Sequence, residues 1–324
     1  MSTTDIRKVL LTGGFRYGGV HAFAKALAHG FEALGYPAEV VSPLAIFHHW
    51  HDLRDQSVLK ILSTQAVFAA LFARNAICVA HGFPRPDAQG WAKTLGILLS
   101  LKIANWSSSC RLVAVSDYVA VHLGCVNVHI DAVIHNPVQE AFLQSWQEQE
   151  ERNYLTYVGR LIPAKHVHLL LLAMLQMLDH DSQLRICIVG DGPQRAELEA
   201  VAQGNSRVEF TGNLNSNAVI GVLRKTRVFV SGNEMEPFGI TYLEALSQGC
   251  VVVMPACGGG LEIDLDGIGS RLQLFPLSFD VNEIAAALNR AWDARNGYND
   301  VSAYRDDNVA AHYMQLANEI EPTL

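Results

Sequence analysis

The chain has 324 residues, half of them hydrophobic and 17% charged, with a net charge of −8. That balance excludes a disordered chain. With no basic stripe to neutralise phosphates it also excludes nucleic acid as a partner, and the length favours two domains.

In chain order, residues 8–12 read as a strand ending in Gly13-Gly14-Phe15-Arg16-Tyr17-Gly18-Gly19. Apolar Val20, Phe23, Ala24, Leu27, Ala28 and Phe31 then recur at helical spacing, and Gly35 stops that helix. A second strand is predicted at 38–42, a helix at 58–72, and a strand at 76–80 that ends at His81-Gly82. A helix at 89–105 follows, with a strand at 112–115 whose end, Ser116-Asp117, caps the next helix. Residues 133–134 form a short strand closed by His135-Asn136-Pro137. The polar stretch 144–153 marks a boundary, giving domains at 1–149 and 150–307. Beyond it, strands at 154–158, 185–189, 208–210, 228–231 and 251–254 alternate with helices at 168–178, 194–202, 217–224, 243–248 and 281–295. A last helix is expected at 308–320. This alternation predicts an α/β protein with two doubly wound, Rossmann-like domains, each a parallel sheet covered on both faces.

Charge and cysteine usage differ in what they say. Residues 1–150 hold 11 Lys/Arg against 11 Asp/Glu and nine of the 13 His, whereas residues 151–324 hold 13 against 21. The neutral first half suits an anionic or membrane-borne partner better than the acidic second half. Six cysteines stand singly, with no C-x-x-C, which points to a reducing, cytoplasmic compartment without disulfides. The N-terminus runs directly into a strand, so no signal peptide is expected. Apolar stretches at 66–73 and 95–101 are shorter than the roughly 20 residues of a membrane span. Trp91, Lys93, Lys102 and Trp106 flank the apolar stretch 95–103, which reads as a core helix, with a membrane-surface face as the alternative. Adjacent histidines in His48-His49-Trp50-His51 do not share one ligand-facing side in a loop, so no metal site is expected.

Ligands of open α/β sheets bind beyond the carboxyl ends of the strands, so the loops there decide function. The glycines at 13–19 let backbone approach a ligand. They lack the G-x-G-x-x-G spacing of a dinucleotide site, and Ser42-Pro43 stands where its acid would be. Arg160 and Lys165 follow a strand and offer a planar fork and a point charge to phosphate oxygens. Glu236 and Glu244 flank a helix start whose free N–H groups favour an anion, and the second lies about two turns along. An anionic, hydroxyl-rich ligand such as a nucleotide sugar fits this set.

The full phrase Ser231-x4-Glu236-Pro237-Phe238-Gly239-x4-Glu244-Ala245-x3-Gly249 resembles the donor-site signature of retaining glycosyltransferases of family 4. Three further stretches are similar to that family. Gly159-Arg160-Leu161-Ile162-Pro163-Ala164-Lys165-His166 resembles G-R-L-x-x-E-K-G, departing at Ala164 and His166. Val189-Gly190-Asp191-Gly192-Pro193 resembles V-G-x-G-P, and Gly258-Gly259-Gly260-Leu261-Glu262 resembles a Gly-Gly-x-x-E loop. The resemblance covers most of the chain and is strongest from 154 to 262.

The resemblance implies a GT-B fold, two Rossmann-like domains facing a central cleft, with a terminal helix at about 308–324 packed back on the first domain. It implies retaining transfer from a UDP- or GDP-sugar to the hydroxyl of a sugar- or lipid-linked acceptor, in surface polysaccharide, glycolipid or glycoconjugate synthesis. His81, Arg160, Lys165 and Glu236 would be catalytic. Gly18, Gly19, Gly190, Asn213, Leu214, Pro237, Phe238, Gly239, Ile240 and Glu244 would bind the donor. It implies no cofactor and no metal, and a cytoplasmic protein with peripheral contact at the inner membrane face. A GT-B nucleotide-sugar epimerase or hydrolase, and a non-catalytic nucleotide-sugar-binding subunit, are the rival readings.

Overall fold

The computed structural model describes residues 5–14, 19–84, 90–143, 151–179, 181–263 and 269–320. The chain divides into two compact units, Met1–Glu140 with Ala303–Leu324, and Ala141–Ser302.

The first unit holds β1 (Lys8–Thr12), α1 (Gly19–Ala33), β2 (Ala38–Val41), α2 (Trp50–Arg54), β3 (Val58–Ser63) and β4 (Ala76–Ala80). It continues through α3 (Trp91–Asn105), β5 (Cys110–Ala114), α4 (Asp117–Gly124) and β6 (Ala132–Val133). The strands form one parallel sheet in the order β2-β1-β3-β4-β5-β6. The order in which strands are added reverses between β1 and β3. There Thr12 and Ser63 lock the strand ends together, the Ser63 N–H donating to Thr12 Oγ1 at 2.7 Å.

Two expectations are corrected in this unit. Residues 58–72 are not a helix. Val58–Ser63 is a strand buried on both faces between β1 and β4, and a 3-10 turn, Val67–Leu71, follows. A strand covered on both sides loses its period-two alternation, so its apolar run reads like a buried helix. The stretch 95–103 is not a core helix either. Helix α3 buries Thr94, Ser100, Leu101 and Ala104 and exposes Trp91, Leu95 and Leu99, with exposed Trp106 at its C-cap.

The second unit holds a short helix α5 (Glu140–Leu143, entered from the first unit), β7 (Tyr154–Val158), α6 (Val167–Met177), β8 (Arg185–Val189), α7 (Arg195–Ala202) and β9 (Val208–Gly212). After these come α8 (Ser216–Lys225), β10 (Thr226–Val230), α9 (Ile240–Ser247), β11 (Val251–Pro255), β12 (Leu272–Phe275) and α10 (Val281–Asp293). The sheet is parallel throughout, in the order β12-β11-β10-β7-β8-β9. This is the doubly wound dinucleotide-fold order, and its switch point lies between β7 and β10. Leu155, Val228, Val230, Val251 and Val253 pack one sheet face against Leu170 and Met174 of α6 and Ile284 and Leu288 of α10. Each such fully buried aliphatic side chain contributes about 1.5–3 kcal/mol. Strand β12, which the sequence reading omits, is an edge strand with Phe275 its one fully buried side chain.

The final helix α11 (Asp306–Asn318) returns to the first unit and lies against α1. The approach is close because residue 30 is glycine. A Cβ there would stand 2.1 Å from the Asp306 carbonyl oxygen. One residue earlier, His29 Nδ1 meets the Asp306 carboxylate at 2.6 Å. No helix among the described residues is long and apolar enough to cross a membrane.

Candidate functional site

The switch point of the second sheet gathers the charged residues that the sequence singles out. Strand β7 ends at Val158, and the loop behind it is pinned on its far side to the end of β8, Leu161 N–H donating to the Asp191 carbonyl at 3.0 Å. Two glycines make that contact possible. A Cβ on Gly190 would stand 1.9 Å from Gly159 O, and one on Gly192 2.3 Å from Leu161 O. Tyr157 holds the loop from beneath, its hydroxyl donating to the Arg160 carbonyl at 2.9 Å. Arg160 is exposed, and its side chain makes no hydrogen bond or ion pair among the described residues. Lys165 closes a 3-10 turn, Pro163–Lys165, ahead of α6.

From β10 the chain runs through Ser231 and Asn233 to Glu236. The Glu236 carboxylate accepts from Lys165 Nζ at 3.2 Å and from Asn233 Nδ2 at 2.5 Å. Both Lys165 and Glu236 are about four-fifths buried, with side-chain exposures of 22% and 19%. A salt bridge in this half-screened position orients both groups and leaves the other carboxylate oxygen for a ligand hydroxyl.

Pro237, Phe238 and Gly239 carry the chain into α9. Gly239 is left-handed (φ 94°) at the N-cap, and no side chain caps the helix. The N–H groups of Gly239 and Ile240 donate to no partner among the described residues. They present free donors and partial positive charge to an anion. The turn Gly258-Gly259-Gly260 props this loop. Gly259 N–H donates to Glu236 O at 2.9 Å, and a Cβ on Gly259 would stand 2.0 Å from Pro237 O. Tyr242 stacks under the same turn and donates to Ser231 Oγ at 3.0 Å.

Glu244 lies one turn into α9. It is buried at 9% exposure, and its carboxylate has no hydrogen-bond partner among the described residues. Burial pushes its carboxyl up to about 8 from an ordinary 4.5. A buried acid without a partner is costly unless a ligand supplies donors, and ribose hydroxyls are such donors.

Asn213 and Leu214 sit on the turn after β9, two strands from the switch point, where Gly190 N–H donates to Gly212 O at 2.9 Å. In the first unit, Gly19 opens α1 with free space around it, and Gly18 lies outside the described residues. His81 follows β4 with its ring edge-on to Phe23, centroids 4.5 Å apart. Its Nε2 is buried without a partner, and burial lowers its pKa to about 4, so the ring is neutral at physiological pH.

The sequence reading missed Asn233 and the two tyrosines. Their signal is faint, because a polar residue three positions before a glutamate is ordinary. His166 occupies the position where the resembled family has glycine, in the left-handed region with φ 49°. Its ring packs on Phe279 at 4.1 Å, and its Nε2 stands 3.8 Å from Glu234. Ring packing offsets a left-handed backbone that costs a non-glycine residue about 1–2 kcal/mol.

The family described as Glycosyl transferases group 1 matches residues 138–305, just over half of the chain. A GDP-mannose-dependent alpha-mannosyltransferase of Mycolicibacterium smegmatis is 30% identical over 217 residues, 64% of this chain and 56% of that protein. Sulfoquinovosyl transferase SQD2 of Arabidopsis thaliana is 32% identical over 151 residues, 46% of this chain and 29% of that protein. The chain thus spans about half or less of the length of these curated relatives. Among solved structures, Anabaena Alr3699/HepE in complex with UDP and glucose aligns over 97% of this chain and 95% of its own, with a TM-score of 0.67 at 17% identity. AviGT4, a glycosyltransferase involved in Avilamycin A biosynthesis, aligns over 96% and 97%, with a TM-score of 0.68 at 17% identity. These likenesses show the GT-B fold.

Proposed function

The chain belongs to the glycosyl transferases group 1 family, and we propose that it is a retaining, metal-independent glycosyltransferase. It moves a sugar from a UDP- or GDP-sugar to the hydroxyl of a sugar- or lipid-linked acceptor, in the cytoplasm or at the inner membrane face. The observation that carries this reading is the grouping of Lys165, Glu236, the open α9 N-terminus and the unpartnered Glu244 along a switch point. The donor class is supported by the relatives' names, which specify GDP-mannose for the mycobacterial enzyme, and by the UDP and glucose in the Anabaena complex.

In this proposal Glu244 accepts hydrogen bonds from the two ribose hydroxyls. The diphosphate lies against the N–H groups at Gly239 and Ile240, with Arg160 and Lys165 taking up charge as it departs. Such preorganised charge stabilisation is the main catalytic term in the absence of a covalent nucleophile. Glu236, with Pro237 and Phe238 shaping the loop, holds the sugar hydroxyls. Asn213, Leu214 and Gly190 line the nucleotide side. The bond from the sugar anomeric carbon to the phosphate oxygen breaks, and the acceptor oxygen bonds to that carbon on the same face. The acceptor proton passes to the departing phosphate.

The test is a panel of UDP-, GDP- and ADP-sugars incubated with and without simple glycoside acceptors. Diphosphate release that requires acceptor, with the anomeric configuration kept in the product, is the expected result. Release or epimerisation without acceptor assigns the rival epimerase or hydrolase, and binding without turnover assigns a non-catalytic subunit.

A further inference from the structure

We propose that the first unit docks on a bilayer surface bearing anionic headgroups, through an apolar face formed by α3, the 3-10 turn Val67–Leu71 and α2. Helix α3 carries large apolar side chains on its outward side. Its exposed stripe is Trp91 (79% exposed), Leu95 (67%) and Leu99 (55%), four residues apart each time, and Trp106 (86%) extends it. Its buried side includes Thr94 and Ser100, the latter donating to Gly96 O at 2.8 Å. A helix in water places charge outward. Here the outward residues are the Trp and Leu of an interfacial helix, with Trp at both ends.

The face extends beyond the helix. Helix α3 packs beside the turn Val67–Leu71, whose Phe68 and Leu71 are exposed, as is Phe72 behind them. The Phe72 ring meets exposed Trp50 at 5.5 Å and Phe47 at 6.5 Å. A contiguous run of this many large apolar residues exceeds what a solvated surface normally carries.

Charge selects the occupant. In a chain of net charge −8, residues 50–116, from α2 through α3 to β5, hold seven Lys/Arg and three Asp/Glu, Lys60 being the one described cation of these that is fully buried. Arg54, Arg74 and Lys93 are exposed around the apolar residues, and Lys102 is half-exposed on the helix. A second copy bound through the same face would set these cations against their own copies, since a twofold contact is self-complementary. An anionic lipid surface meets the apolar stripe and the basic rim together. Helix α3 runs about 22 Å from its start, ten residues after His81 at the ligand edge of the sheet. Resting on the transferase reading, this places a lipid-borne hydroxyl on the side from which the helix leaves the site.

Sedimentation of the full chain with vesicles of phosphatidylcholine alone, and of phosphatidylcholine with phosphatidylglycerol, tests the proposal without donor or acceptor, so its outcome is independent of the transferase reading. The wild type should bind the anionic vesicles preferentially and release with salt. Trp91→Ser with Leu95→Ser and Trp106→Ser should weaken binding at least about tenfold, with thermal stability kept because the side chains are exposed. Lys93→Glu with Lys102→Glu should lose the preference for phosphatidylglycerol, each lost cation near the surface weakening binding about fivefold. This second variant keeps the test decisive if the first unfolds. Wild-type protein that stays in the supernatant with both vesicles, or variants that bind like it, would overturn the proposal. So would a wild-type dimer in solution that the triple serine variant converts to monomer, since that gives the face to a second copy.

Discussion

Lys165 Nζ stands 3.2 Å from the Glu236 carboxylate, joining loops that leave β7 and β10, 71 positions apart in sequence. This ion pair fixes a cation and a hydroxyl acceptor on either side of one switch point. Arg160, close by in sequence, has no partner among the described residues and remains free for a ligand.

The two cations should therefore differ. Arg160→Ala should lower turnover by about two to three decades, the loss expected when one charge-stabilising donor worth roughly 2.7–4 kcal/mol is removed, with thermal stability unchanged. Lys165→Ala should lower turnover as much and also destabilise the protein by about 1–3 kcal/mol, because Glu236 keeps only Asn233. Steady-state rates with melting curves of both variants check this. Wild-type turnover in a folded double variant would remove both residues from the mechanism.

Glu244 makes stability depend on pH in a specific direction. Its carboxyl sits at about 8 in the folded chain against an ordinary 4.5. Between those values the folded state holds a proton that the unfolded state releases, so stability falls as pH rises through the window. Glu244→Gln removes this loss. The variant should melt like the wild type near pH 4.5 and be the more stable above pH 8, by a margin on the order of 5 kcal/mol at most. Parallel pH curves for the two proteins would mean that Glu244 ionises freely.

Gly259→Ala probes the prop under the loop. A Cβ 2.0 Å from the Pro237 carbonyl must push the Pro237-Phe238 peptide aside. The expected cost is about 1–3 kcal/mol, with turnover lost beyond what the stability change explains. Turnover at the wild-type level would show that the loop tolerates displacement.

Metal should not be needed. Among the described residues no group of three His, Cys, Asp or Glu could hold an ion, and Asp264 and Asp266 lie outside them. Turnover should survive exhaustive chelation. Activity abolished by EDTA and restored by magnesium or manganese would reverse this, and Asp264→Asn with Asp266→Asn would then show whether that pair is responsible.

What the sequence made legible follows a physical pattern. The loops at 159–166 and 231–244 could be read because fixed geometry forces glycines, a proline and acids into short, ordered phrases. Pairing across those loops could not, since Lys165 and Asn233 meet Glu236 only once the parallel sheet brings β7 beside β10. Strand β3 reads as a helix in the sequence because both of its faces are buried. Helix α3 reads as core because an apolar run looks the same whether it faces a sheet or a bilayer, and only the structure shows that Trp91 and Leu95 are exposed. That Gly190 also makes room for the Gly159 carbonyl is visible only in the folded chain.

Calorimetric titration of nucleoside diphosphates tests the central claim, that the switch-point glutamates divide a donor between them. The wild type should bind one of UDP, GDP or ADP. Glu244→Ala should lose affinity by roughly one to two decades at neutral pH, where the buried carboxyl holds its proton and each of two ribose hydrogen bonds is worth about 0.5–1.5 kcal/mol. Glu236→Ala should bind the same diphosphate within about twofold while turnover falls, because it meets only the sugar. Unchanged diphosphate affinity in a folded Glu244→Ala protein would place the donor site elsewhere and contradict the account.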